Sequence, residues 1–179
     1  MINKIVKTVF IAFFVVGVLY LAIPNYAFPA PPPDSLQSQE PADTETPLRR
    51  AYFTNYTRDE VLAWYKGQFE AKTALGIKIP SYLLNYPPEE AQTIIRDQTR
   101  SSFLQEVVHP MRESLYINGF GAKSEKDTIL INDRVWRLKI TVRYVASDVI
   151  IREILFIASA LMIAVVYNTF KKSLKRKNG

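Results

Sequence analysis

The chain has 179 residues, with 23 basic and 17 acidic side chains, a net charge of +6, 48% hydrophobic residues and no cysteine. The missing thiols exclude disulfides, thiol catalysis and zinc–thiolate sites. The basic balance does not point to nucleic acid, because residues 34–148 hold 15 basic and 16 acidic side chains and the excess lies at the two ends.

Residues 1–7 are a short basic N-terminus carrying Lys4 and Lys7. No charged residue occurs between Lys7 and Asp34, and Phe10, Phe13, Phe14, Leu19 and Leu21 make residues 8–23 strongly apolar. A membrane span needs about 20 apolar residues, and the interfacial Tyr26 and Phe28 extend this run. A cleaved secretory signal has the same outline. Ala27 or Ala30 would end it, but Asn25 and Phe28 then stand three residues before cleavage, where a small residue is wanted. The run therefore reads as an uncleaved transmembrane helix.

Residues 24–47 hold seven of the eleven prolines and four acids, Asp34, Glu40, Asp43 and Glu45, with no basic residue. Such composition reads as an extended, Pro-rich acidic linker that buries no core. It would either clear a cell-surface layer or reach the membrane-distal end of the domain that follows.

Residues 48–148 are the size of one domain. Thr57, Arg58, Asp59 and Glu60 form a capping box opening a helix to about Lys72, with Val61, Leu62, Trp64, Tyr65 and Phe69 as its apolar stripe. Pro87 and Pro88 before Glu89 and Glu90 predict a second helix that fades near Arg100. The period then changes to two. Strands are expected over Phe103–Val108 and Ser114–Phe120, the latter closed by Asn118, Gly119 and Gly121. A hairpin is expected over Thr128–Ile131 and Val135–Val145. In the last strand Trp136, Leu138, Ile140, Val142 and Tyr144 share one face, which places Trp136 between sheet and helices near Trp64 or Phe69. Arg137, Lys139, Thr141 and Arg143 share the other, water-facing side. The class is α+β: two helices on a three- to five-stranded antiparallel sheet, flanked by N- and C-terminal transmembrane helices.

Residues 149–170 form the second transmembrane helix. Residues 154–170 are uncharged, Val149 to Ile151 lengthen the run, and Arg152 can snorkel to the headgroups. Residues 171–179 are a basic cytoplasmic tail with Lys171, Lys172, Lys175, Arg176 and Lys177. Positive charge beside spans stays cytoplasmic. Both termini are therefore expected on the cytoplasmic side and the central domain outside, as an extracytoplasmic module. The bilayer is the first partner, with Lys4, Lys7, Lys171, Lys172, Lys175, Arg176 and Lys177 at lipid headgroups. An envelope protein, or a second copy packed through Ala160 and Ala164, is a further candidate partner. Neither span carries a central ionisable residue, which argues against a pump, channel or transporter.

No catalytic, cofactor-binding or metal motif stands out. His109 is the only histidine and precedes a proline, so it reads as a structural turn residue. Glu89 and Glu90 read as helix-start acids. Tyr52, Phe53 and Tyr56 read as core. The Asn55-Tyr56-Thr57 glycosylation pattern yields to Thr57 as a helix cap. Arg134, Arg137, Lys139 and Arg143 make a basic stripe that reads first as a solvated sheet face; the rival reading is contact with anionic lipid headgroups or an anionic envelope polymer.

Residues 86–152, about a third of the chain, carry Ile95-Arg96-Asp97-Gln98-Thr99, His109-Pro110-Met111-Arg112-Glu113-Ser114-Leu115 and Lys139-Ile140-Thr141-Val142-Arg143-Tyr144. This stretch resembles uncharacterised membrane-anchored proteins of small-genome bacteria, in which a comparable domain precedes a C-terminal span. The resemblance implies a bacterial plasma membrane and no activity. The expectation is a non-enzymatic, membrane-tethered interaction or accessory domain. The rivals are an envelope hydrolase in which Glu106, Glu113 or His109 converge in the fold, and a sensor coupled to the second span through residues 146–148.

Overall fold

A computed structural model describes residues 2–70, 73–74, 77–90, 101–122 and 125–177. Two compact units divide the chain, residues 26–146 and the pair of terminal segments on either side of them.

The central unit is α+β. Its main strands are β1 (Leu36–Gln37), β2 (Arg49–Thr54), β5 (Tyr82–Tyr86), β6 (Phe103–Val108), β7 (Ser114–Gly121) and β10 (Leu138–Val145). They form one six-stranded antiparallel sheet in the order β1-β2-β10-β7-β6-β5. Two-stranded ribbons are made by β3 (Thr73–Ala74) with β4 (Ile77–Lys78), and by β8 (Ile129–Ile131) with β9 (Arg134–Trp136). One more strand is present than the largest number expected, and β1, β2 and β5 lie outside the expected set.

Helix α2 (Arg58–Glu70) starts where its capping box demands. The Thr57 backbone N–H donates to Glu60 Oε2 at 2.7 Å and the Glu60 N–H donates to Thr57 Oγ1 at 3.3 Å. Two otherwise orphan donors are thereby satisfied. Val61, Leu62, Tyr65 and Phe69 are buried against Phe103, Val107, Leu115, Ile117, Ile140 and Val142 of the sheet. Each such side chain stabilises the fold by about 1.5–3 kcal/mol relative to exposure. Only a 3-10 turn, Pro88–Glu90, is seen at the expected second helix start; the remainder, 91–100, lies outside the described residues.

Strand β7 runs as expected through Asn118 and Gly119 and ends at Gly121. The Phe103 ring of β6 lies over its cross-strand partner Gly119 and occupies the space a Cβ would need. Strand β10 keeps its expected alternation from Leu138 onward, with Leu138, Ile140, Val142 and Tyr144 in the core. Trp136 departs from it. A bend at Arg137, whose N–H donates to Asn55 Oδ1 at 3.0 Å, separates β9 from β10. Trp136 is buried instead with Phe53 and Ile129, packed by Leu36, Phe120 and Ile131. Phe53 opposes Lys139 across β2 and β10, so this second cluster lies on the face expected to meet water.

Residues 26–47 correct the linker expectation. They belong to the central unit. Tyr26 and Phe28 pack on the main core. The Ala30 N–H donates to Gln68 Oε1 at 2.8 Å, and the Ala30 carbonyl accepts from Gln68 Nε2 at 3.0 Å and Trp64 Nε1 at 3.2 Å. Leu36 and Gln37 pair with Phe53 and Tyr52. A few specific contacts outweigh the scarcity of apolar side chains in this segment.

The terminal unit contains α1 (Ile2–Leu21) and α3 (Val149–Lys177), both long and apolar enough to cross a membrane. Phe156 of α3 stacks on Phe14 with centroids 5.8 Å apart, and its ring fills the space that a Cβ on Gly17 would take. Ala160 is buried.

Candidate functional site

Four features carry the chemistry worth weighing. The first is the turn between β6 and β7, which brings His109, Arg112 and Glu113 together. Met111 adopts a left-handed φ of 60°, closing a tight return in which the His109 N–H donates to the Glu113 carbonyl at 3.1 Å. His109 Nδ1 lies 3.1 Å from Glu113 Oε1, which also accepts from Arg112 Nη2 at 3.0 Å. All three side chains are buried. The His109 ring stacks on Phe69 with centroids 4.2 Å apart and meets the edge of Tyr26 at 5.2 Å. Burial alone raises the Glu113 pKa, but the His109 bond, a backbone N–H and the Arg112 charge outweigh it. They hold the carboxyl below the usual carboxylate range. His109 Nε2, the atom free to act on a substrate, is enclosed without a hydrogen-bond partner among the described residues. A general base needs access to its proton, and this histidine has none. The group is a buried pin joining the strand turn to α2 and Tyr26.

Glu106, the second carboxylate of the hydrolase reading, lies elsewhere. Val107 faces the α2 core, so Glu106 points to the opposite face of the sheet. There Tyr86 donates its hydroxyl to Glu106 Oε2 at 2.7 Å, and that bond, with burial, pushes the Tyr86 pKa up. Glu106 and the His109–Glu113 pair do not converge. Among the described residues no group of three or more His, Cys, Asp or Glu is placed to hold a metal ion.

The second feature is the expected basic stripe, which is partly committed. Lys139 Nζ pairs with Glu40 at 2.7 Å and with Asp43 at 2.8 Å, and Asp43 is buried with Ser38 donating to it at 2.6 Å. Burial works against the Lys139 charge, yet the two carboxylates prevail and raise its pKa. The Arg134 guanidinium covers the Trp136 ring at 4.2 Å. Arg143 stands directly opposite Arg49 across β10 and β2, and Arg49 pairs with Glu45 at 3.3 Å. Arg137 and Arg143 are exposed. Of the stripe, Lys139 is the member that fastens Glu40 and Asp43 to the sheet.

The third feature is Arg152, which the expectation of headgroup snorkelling misplaces. It is buried at 5% exposure. Its Nε donates to the Leu21 carbonyl at 2.7 Å, its Nη1 to Asn25 Oδ1 at 2.7 Å, and its Nη2 to the Ile23 carbonyl. Asn25 Nδ2 donates to the Ser147 carbonyl at 2.6 Å. A guanidinium thus caps the C-terminus of α1, where unpaired carbonyls and the helix dipole favour a cation. Ala160 is buried and Ala164 half-buried on α3. Lys4, Lys7 and Lys172 are exposed and Lys171 is half-buried; the side chains of Lys175, Arg176 and Lys177 lie outside the described ones.

The fourth is β5, at the edge of the sheet. It pairs with β6 on one side, and among the described residues no strand lies on its other side. Its Tyr82, Leu83 and Leu84 are 56%, 43% and 42% exposed. Sequence reading missed this strand; Tyr82-Leu83-Leu84 between Pro80 and Pro87 was the available signal.

No family model, curated protein or solved structure matches the chain. What the chain does must therefore be argued from these four features.

Proposed function

We propose that the chain is a two-span protein of a bacterial plasma membrane with both termini cytoplasmic, holding its sheet domain outside as an interaction module. Its docking element is β5, which takes up an extended segment of a partner envelope protein by strand addition. The carrying observation is the exposed run Tyr82, Leu83 and Leu84 on an edge strand. An apolar edge with unpaired backbone groups is an aggregation hazard unless something covers it, and extended peptides add to such edges. The basic residues at both termini support the orientation. The resemblance of residues 86–152 to membrane-anchored proteins of small-genome bacteria supports the location. Tyr26 and Phe28 in the core support an uncleaved first span, since cleavage after Ala27 or Ala30 would remove one or both.

The chain contains no cysteine, so single introduced ones report topology. Lys66→Cys should react with an impermeant maleimide on intact cells and Ser173→Cys only after lysis; the reverse pattern overturns the orientation. A photo-crosslinking side chain at Leu83 should join an extended peptide of one envelope protein, and the exposed substitution Leu84→Lys should abolish the adduct. Equal crosslinking from Lys66, or Glu113-dependent cleavage of a wall or peptide substrate by the purified full chain, would overturn the docking reading.

A further inference from the structure

The two terminal helices do not pack evenly. They are close where Phe156 meets Phe14 and Gly17. Nearer the chain termini a groove of about 560 Å³ opens between them. Phe10 and Ile11 of α1 and Ile163 and Ala164 of α3 give it an apolar lining, and Lys7 and Lys171, one from each helix, line it as well. No acidic residue faces these two ammonium groups from either helix near the groove. Helix α1 has none, and α3 has only Glu153, at its far end.

We propose that this groove binds one anionic phospholipid, with an acyl chain along Phe10, Ile11, Ile163 and Ala164 and the phosphate between Lys7 and Lys171. The inference rests on the membrane reading above and goes beyond it, from diffuse headgroup contact to a built site. Three considerations carry it. A groove of this volume falls in the range of small-molecule sites. Left empty in a bilayer, its walls would lack partner atoms and lose their dispersion contacts, and an acyl chain is the filling that the surroundings supply. Two like charges brought to one groove repel unless an anion lies between them, and basic pockets between spans on the cytoplasmic side select anionic headgroups. Lys4 and Lys172 do not line the groove and make an internal control of equal charge.

The full chain is washed in place with alkaline carbonate, then purified in mild detergent and studied by native mass spectrometry. Phosphatidylglycerol and phosphatidylcholine with identical acyl chains are the probes. One phosphatidylglycerol should remain per chain, with phosphatidylcholine retained about tenfold less. The double variant Lys7→Gln, Lys171→Gln should lose about tenfold in retention, and Lys4→Gln, Lys172→Gln should lose little. Ala164→Leu, which fills the groove and keeps every lysine, should also expel the lipid. Equal loss in both lysine pairs would show diffuse charge and overturn the site. Equal retention of the two lipids, equal binding of sn-glycerol 1-phosphate without acyl chains, or a lipid-free dimer would also overturn it. Release of the chain by carbonate would instead overturn the membrane reading, and the site with it, before any lipid is measured.

Discussion

Arg152 donates from Nε to the carbonyl oxygen of Leu21 at 2.7 Å, across 131 residues of chain. The same guanidinium reaches the Ile23 carbonyl and Asn25, so one side chain satisfies the end of the other terminal helix. Hydrogen bonds to charged groups contribute more than neutral ones, and buried carbonyls left unpaired are costly.

Arg152→Ala should therefore destabilise the helix pair by about 3 kcal/mol. Arg152→Lys should recover only part of this, because a point charge cannot reproduce a planar fork. Hydrogen exchange at the Ala22 amide, which bonds the Val18 carbonyl at 2.9 Å in the last turn of α1, gives a local readout. Unchanged exchange in both variants would show that the cap does not hold that turn.

Trp136→Ala should cost about 3 kcal/mol, the low end for a large aromatic, because the Trp136 cluster is small and separate from the main core. Hydrogen exchange should quicken first in β1, β8 and β9, with the α2 amides protected. Leu115→Ala, within the main core, should loosen α2 instead. If Trp136→Ala loosens α2 first, the two clusters are not independent.

These two residues also show where sequence legibility ends. Helix α2, β6 and most of β10 were readable because capping boxes and alternation are local signals. Strand β2 was hidden because Tyr52 and Phe53 point to opposite faces that are both covered, which erases alternation. Trp136 changes face through a bend fastened by Asn55, a partner far away in sequence. Arg152 lies in the first turn of α3, but its acceptors are distant carbonyls that no pattern encodes. Residues 26–47 look unable to fold by composition, yet Tyr26, Phe28, Leu36 and Asp43 each find a specific partner. Of the candidate site, the cations were legible and their commitments were not. The β5 edge was overlooked because its short apolar run lacked a pairing signal.

Asp43→Asn weakens the anchor of that segment. Lys139 keeps Glu40, but the buried charge opposite it is removed. The loss should be about 1–3 kcal/mol, and limited proteolysis should cut first between Gln39 and Thr46. The sign of the alkaline effect follows from Lys139. Its pKa is raised in the fold, so its stabilisation is complete below about pH 10.4, the ordinary lysine value. It is lost as pH rises through the higher folded value. Asp43→Asn should therefore flatten the alkaline limb of the stability profile. An unchanged limb would assign alkaline unfolding to other groups.

Glu113 governs the acid side. Its pKa is lowered in the fold, so its stabilisation is complete above about pH 4.3, the ordinary glutamate value. It is lost as pH falls through the depressed folded value. Glu113→Gln keeps the size of the side chain but removes the buried negative charge that faces Arg112 and His109. Breaking a buried pair in this way costs about 3–5 kcal/mol at neutral pH. The gap between variant and parent should close as pH falls, since the parent then loses the same charge. Thermal unfolding of the full chain from pH 7 to pH 3 tests this, with near-ultraviolet circular dichroism following Tyr26 and its neighbours. Arg112→Lys supplies the companion measurement: it keeps the charge and removes the fork, so it should destabilise less than Glu113→Gln while retaining the acid limb. A gap that stays constant down to pH 3 would show that the Glu113 carboxylate is not the group whose protonation loosens the turn between β6 and β7.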